Sequence, residues 1–148
     1  LALTYDSLTS SNPRLVYCSI TGFGSGAGAA LPGYDFVVQA LGGLMSITGA
    51  ADGEPTKVGV ALVDVLTGKD AVIAILAALR ERERSGLGQR IEVDLLSSLL
   101  GSLVNQSSSY LTTGRSPAGE GDRESPKVRK FVRGIEVEQG ADGNSEGG

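Results

Sequence analysis

Asp64 stands in the run Gly59-Val-Ala-Leu-Val-Asp-Val-Leu-Thr-Gly68, an acid among apolar neighbours at the head of a helical pattern. A carboxylate so placed has two uses. As a helix N-cap it accepts hydrogen bonds from the first free backbone N–H groups, the ordinary role of an Asp before an apolar run. In a partly desolvated pocket a carboxylate at a helix N-terminus also makes a nucleophile or base, because it has shed some of its solvating water. The two roles are compatible at Asp64. Tyr34-Asp35 is the second polar group at an element start, directly after a Gly-rich stretch, and Asp35 is likewise expected to cap its own helix.

The remaining reactive side chains are few. The 148 residues contain no His, one Cys and no Trp, so neither a Ser-His nor a Cys-His pair can form, and the imidazole ligands of most zinc sites are missing. No metal site is expected. Cys18 lies in an apolar run, where a thiol behaves as a small buried hydrophobe. A single Cys forms no internal disulfide, which fits a reducing compartment and makes the cytoplasm the expected location. Tyr17 and Tyr110 are expected as core or rim aromatics.

The loop Gly22-Phe-Gly-Ser-Gly-Ala-Gly28 follows an apolar run, which raises the question of a dinucleotide fingerprint. The G-x-G-x-x-G spacing fails: a frame from Gly22 meets Ala27 at its third Gly, and a frame from Gly24 meets Ala29. The loop is therefore expected to be a turn, or a place where some other ligand approaches the backbone. A net charge of −4, with no basic cluster interleaved with aromatics, argues against nucleic acid. The most apolar stretch, residues 58–79, carries Asp64, Lys69 and Asp70 and is not expected to span a membrane.

Alternation and periodicity supply the elements that must position these groups. Residues 14–20 read as a buried strand, 21–33 as a Gly-rich loop and 34–48 as a helix weakened at Gly42-Gly43, where something packs close. Residues 65–84 form the clearest helix, Ala-rich and apolar nearly all round, hence expected to be buried for most of its length. Arg80 to Arg84 form its solvated end and Ser85-Gly86 its stop. Residues 89–95 alternate as a strand buried on one face, and 95–112 form another helix, closed by Gly114. Residues 118–148 are rich in Gly and charge and are expected to be a disordered tail. Because the chain begins at Leu1 and its one Met is Met45, it is expected to be a piece of something longer.

Four separated segments carry a resemblance: Asn12-Pro-Arg-Leu-Val-Tyr-Cys-Ser-Ile-Thr-Gly-Phe-Gly24, Pro32-Gly-Tyr-Asp-Phe-Val-Val-Gln-Ala40, Gly59 to Gly68, and Arg82-Glu-Arg-Ser-Gly-Leu-Gly-Gln-Arg90. In this order they resemble the family III CoA-transferases, a group that includes formyl-CoA and carnitine-type transferases and the related methylacyl-CoA racemases. The resemblance implies an α/β fold, part of a Rossmann-like domain of parallel strands with packed helices, over residues 1–117. It implies that Asp64 is the catalytic nucleophile, forming an anhydride with the acyl group of an acyl-CoA and then a thioester with CoA. Tyr34 and Asp35 match positions that shape the acyl and CoA-thioester site. Coenzyme A would be a substrate, with no permanently bound cofactor, and a small carboxylic acid the acceptor. The full-length family members are interlocked homodimers.

In the racemase branch a His occupies the position filled here by Tyr34, which favours transfer; a racemase-like enzyme, with Asp64 as base, is the alternative. A catalytically dead fragment serving as an interaction module is another. The family's first Rossmann-like half would precede Leu1, and its later Gly-rich loop over the catalytic acid is missing, so the fragment alone is expected to be inactive. After Gly114-Arg-Ser-Pro117 the pattern stops abruptly at Ala118-Gly-Glu-Gly, as a frameshift or truncated gene model would produce.

Overall fold

The computed structural model describes residues 3–50 and 53–115. The tail expected at 118–148 lies outside the described residues. The elements run α1 (Tyr5–Thr9), β1 (Tyr17–Thr21), α2 (Asp35–Leu41), a 3-10 turn (Leu44–Ile47), α3 (Leu62–Ser85), β2 (Arg90–Asp94), α4 (Leu95–Ser102) and α5 (Asn105–Thr113).

β1 and β2 pair in parallel, in register from Tyr17 opposite Arg90 to Thr21 opposite Asp94. Parallel neighbours need a long crossover, and here it contains α2, the 3-10 turn and α3. This is an α/β arrangement, as expected. β1 is half-buried rather than buried: Tyr17, Cys18 and Ser19 are partly covered, while Ile20 is exposed. β2 follows its alternation, with Ile91 buried between exposed Arg90 and Glu92.

The core sits where α2, α3 and α4 meet: Val38, Val63, Leu95 and Leu99, with Phe23, Leu44, Leu96 and Leu103 packed around it. Close packing there explains the Gly pair that follows α2. A Cβ on Gly42 would collide with Leu99 Cδ2, and Gly43 takes φ 83°, so the chain ends α2 there and restarts as the 3-10 turn. The expected single helix over 34–48 is thus two short pieces.

α3 starts three residues earlier than its periodicity predicts, at Leu62, and ends at Ser85 with Gly86 as its C-cap. It is not buried for most of its length. One strip of Val63, Thr67, Ala71 and Ala78 faces the core, and Val65, Val72, Ile73 and Leu76 are exposed among the described residues. Its basic end is not simply solvated, because Arg82 Nη1 donates to Arg14 O at 3.3 Å and Glu83 lies 3.7 Å from Arg14.

The helix expected over 95–112 divides at Val104, whose φ of 45° is unusual for a β-branched residue. Ser107 Oγ donates to Leu100 O at 2.9 Å across the break, giving one of α4's terminal carbonyls a partner. Gly114 closes α5 through its N–H to Tyr110 O at 2.8 Å. Among the described residues no helix is long and apolar enough to cross a membrane.

Candidate functional site

Asp64 does not cap α3. The N-cap is Ala61, which contributes no side-chain bond, and Asp64 lies inside the first turn with its residue exposed. The cap comes from another helix. Asp35 Oδ1 accepts from the N–H of Val63 at 2.8 Å and from that of Asp64 at 3.4 Å. An N-terminal turn leaves its first N–H groups without intrahelical partners, and a carboxylate brought in from outside serves them as well as a local one. This cross-helix cap lets α3 begin before any capping residue of its own.

Nor does Asp35 cap α2. It is the first residue of that helix, after Tyr34 as N-cap, and Tyr34 makes no capping bond with its side chain. The Asp35 residue is 8% exposed, and its second oxygen accepts from Gln39 Nε2 at 2.6 Å. Both oxygens are therefore engaged within the protein. Tyr34, by contrast, is 69% exposed. Through Asp35, the start of α2 and the first turn of α3 meet, so Tyr34 and Asp64 flank one corner of the fold.

Gln39 is a site residue that the sequence reading did not single out. It is wholly buried, and besides Asp35 it bonds the irregular segment leading to α3: its Oε1 accepts from Val58 N–H at 3.0 Å, and its Nε2 lies 3.4 Å from Val60 O. The signal was present as an Asp and a Gln spaced i, i+4 on an otherwise apolar helix face. Thr67 completes the turn below Asp64, buried, with its hydroxyl donating to Val63 O at 2.7 Å.

The Gly-rich loop is shaped by its own closure. A Cβ on Gly33 would stand 2.5 Å from Gly22 Cα, so the two ends of the loop touch backbone to backbone. The loop packs beside the Asp94 carboxylate, which caps α4 by accepting from Ser97 N–H at 2.8 Å. Cys18 lies half-buried beside a cavity of about 470 Å³ lined by Arg14, Ile75, Leu79 and Arg82. Another cavity, of about 640 Å³, lies between the 3-10 turn region and α5, bordered by Leu41, Ile47, Leu103 and Tyr110. Neither cavity is lined by Asp64 or Tyr34. Among the described residues no group of three or more His, Cys, Asp or Glu is placed to hold a metal ion.

Comparison with known proteins supplies the context for this corner. The sequence model of CoA-transferase family III matches residues 1–133. The chain belongs to this family. It is 52% identical over 116 residues to a succinate–glutarate CoA-transferase of Agrobacterium fabrum, covering 78% of this chain and 29% of that protein. It is 41% identical over 125 residues to an acetyl-CoA:oxalate CoA-transferase of Acetobacter aceti, covering 83% and 32%. The crystal structure of a CAIB/BAIF family protein from Brucella suis superposes with a TM-score of 0.75 at 50% identity, over 79% of this chain and 31% of that one. The chain thus spans about a third of the length of these family III relatives. The family match runs past Pro117, where the quoted resemblance stops.

Proposed function

We propose that this chain carries the nucleophile-bearing segment of an acyl-CoA:carboxylate CoA-transferase, with Asp64 as the group that is acylated. The observation that carries the reading is the placement of Asp64 in a family III chain. Its carboxylate is exposed in the first turn of α3, while the backbone beneath it is pinned by Asp35. A nucleophile needs a free side chain on a fixed backbone, and that combination meets both needs.

The steps balance without a further reagent. Asp64 attacks the thioester carbonyl of the donor acyl-CoA, forming a mixed anhydride and expelling CoA thiolate. The thiolate attacks the Asp64 carbonyl of that anhydride, releasing the donor carboxylate and leaving an aspartyl-CoA thioester. The acceptor carboxylate attacks this thioester, giving a second anhydride and CoA thiolate. Thiolate attack on its acyl carbonyl yields the new acyl-CoA and restores Asp64. Each anhydride conserves the group-transfer energy of the thioester, provided water is kept out.

Tyr34 is the substrate-facing member of the predicted pair, exposed beside the corner, and Asp35 is the positioning member, its oxygens already engaged. A His at position 34 would have suited proton abstraction from an α-carbon; Tyr34 supports transfer over racemisation. The relatives' names point to small dicarboxylates as the acceptor class, with coenzyme A as substrate and no resident cofactor. Homodimer assembly and a cytoplasmic location belong to the same reading.

The test is to incubate the protein expressed from its complete gene with acyl-CoA, trap with hydroxylamine and map the modified peptide by mass spectrometry. Modification at Asp64 is expected. Turnover with the label on another residue would reject this role for Asp64.

A further inference from the structure

We infer that Asp35 and Gln39 form a polarity-matched clamp that positions the Asp64 backbone for chemistry, and that their hydrogen-bond direction is what matters. The inference deepens the reading of Asp64 as nucleophile and rests on it. Its parts are a buried carboxylate and a wholly buried amide on successive turns of α2.

The direction of every bond follows from the chemistry of the groups. Val58 can offer only its N–H at this contact, so the end of Gln39 facing it at 3.0 Å is the carbonyl oxygen. That orientation forces the Gln39 NH2 toward Asp35 Oδ2, at 2.6 Å, with its other proton toward Val60 O at 3.4 Å. Asp35 must therefore present an acceptor to Gln39. Its other oxygen must present an acceptor to α3, because Val63 and Asp64 offer N–H groups at 2.8 and 3.4 Å. A carboxylate satisfies both demands at once, whereas an amide at position 35 satisfies one and opposes the other.

The clamp also fixes two consecutive pieces of chain. Gln39 holds the 58–60 approach and Asp35 holds the first turn of α3, so the residues leading to Asp64 are anchored to one rigid helix on both sides of the bend. Simple burial of an acid would not need this pairing. Buried polar networks are costly when partly satisfied, and among these atoms each donor has an acceptor.

The predicted signature is a rescue. Asp35→Asn sets two NH2 groups against each other, with no flip of either amide relieving both ends. Adding Gln39→Glu restores an acceptor facing the NH2 introduced at position 35 and keeps an acceptor for Val58 N–H, at the cost of setting a carboxylate oxygen against the more distant Val60 O, 3.4 Å from the atom it replaces. Asp35 and Gln39 are positioning residues, so the loss should fall on kcat with KM for acyl-CoA little changed.

The experiment uses the protein from its complete gene, well below its unfolding temperature, and reads hydrogen exchange of the peptide spanning 58–66 alongside steady-state kinetics. Asp35→Asn is expected to speed exchange at Val63 and Asp64 and to lower kcat by roughly 10- to 100-fold, the scale on which slight misplacement of reacting groups acts. The Asp35→Asn/Gln39→Glu pair is expected to recover most of both. Unchanged exchange in Asp35→Asn, or a paired variant no better than the single one, overturns the clamp. If the paired variant fails to fold, Asp35→Asn alone decides by the same exchange readout. Hydroxylamine trapping away from Asp64 would instead remove the functional reading and leave the exchange result standing, so the two failures are distinguishable.

Discussion

The side chain of Leu99 fills the space that a Cβ on Gly42 would need. Leu99 is 1% exposed and belongs to the central core, so the contact joins the end of α2 to the middle of α4. The backbone of Gly42 itself, at φ −80° and ψ −1°, suits any L residue. Crowding alone demands Gly there.

Gly42→Ala should accordingly destabilise the protein by about 1 to 3 kcal/mol, the usual cost of overpacking a close contact. Urea unfolding gives the measurement. Leu99→Ala in the same background should recover part of the Gly42→Ala penalty by opening the space, so a double-mutant cycle with no coupling would refute the steric account.

The closure of the Gly-rich loop yields a comparison between two glycines. A Cβ at Gly33 meets Gly22 Cα at 2.5 Å and Gly22 N at 2.8 Å, both backbone atoms that no rotamer change can move aside. At Gly26 nothing lies within 4 Å. Gly33→Ala should cost more than about 1 kcal/mol, and Gly26→Ala should stay within about 0.5 kcal/mol of wild type. Equal melting temperatures for the two variants would show that the loop ends do not meet in solution.

Asp94 lies beside the same loop, with Oδ2 near Gly24 while Oδ1 caps α4 through Ser97 N–H at 2.8 Å. Asp94→Ala removes the cap and is expected to cost about 0.5 to 2 kcal/mol, whereas Asp94→Asn keeps an acceptor and should lose much less. Thermal unfolding of the two variants checks the order; a reversed order would show that charge, not capping, is what Asp94 contributes.

Local signals and non-local contacts divide what was legible in the sequence. The body of α3 was readable because Ala71, Ala74, Ala77 and Ala78 favour helix in any context, and its end because Ser85-Gly86 is a local stop. Its start was misplaced because the capping oxygen belongs to Asp35, 28 residues from Val63 in sequence. The α4–α5 break escaped for a like reason, since a Ser107 side chain reaching Leu100 O leaves no periodic trace. Apolar residues at Val72, Ile73 and Leu76 state a need for cover but not its source, and among the described residues more than half of each stays exposed. At the candidate site the types were legible and the connections were not. Asp64, Tyr34 and Asp35 stood out as chemistry, yet the hydrogen bonds that tie Asp35 to α3 and Gln39 join residues whose pairing no local pattern marks.

Those bonds to Asp35 separate the two acids by experiment. Asp64 is exposed and its side chain does not cap the helix, so Asp64→Asn loses no more than a first-turn charge near a helix N-terminus, under about 1 kcal/mol at low salt. In its proposed role of covalent nucleophile, however, it has no substitute, and an amide cannot form the anhydride. CoA transfer should fall by at least about 10³-fold, the range seen when a nucleophile is removed and binding is retained. Asp35→Ala should behave differently, losing stability as well as rate, because it strips the cap from α3 and leaves the buried Gln39 amide short of an acceptor. Paired measurements of unfolding and turnover decide between these patterns. A large stability loss in Asp64→Asn would mean that Asp64 serves the fold, and full activity in it would mean that the acylated group lies elsewhere.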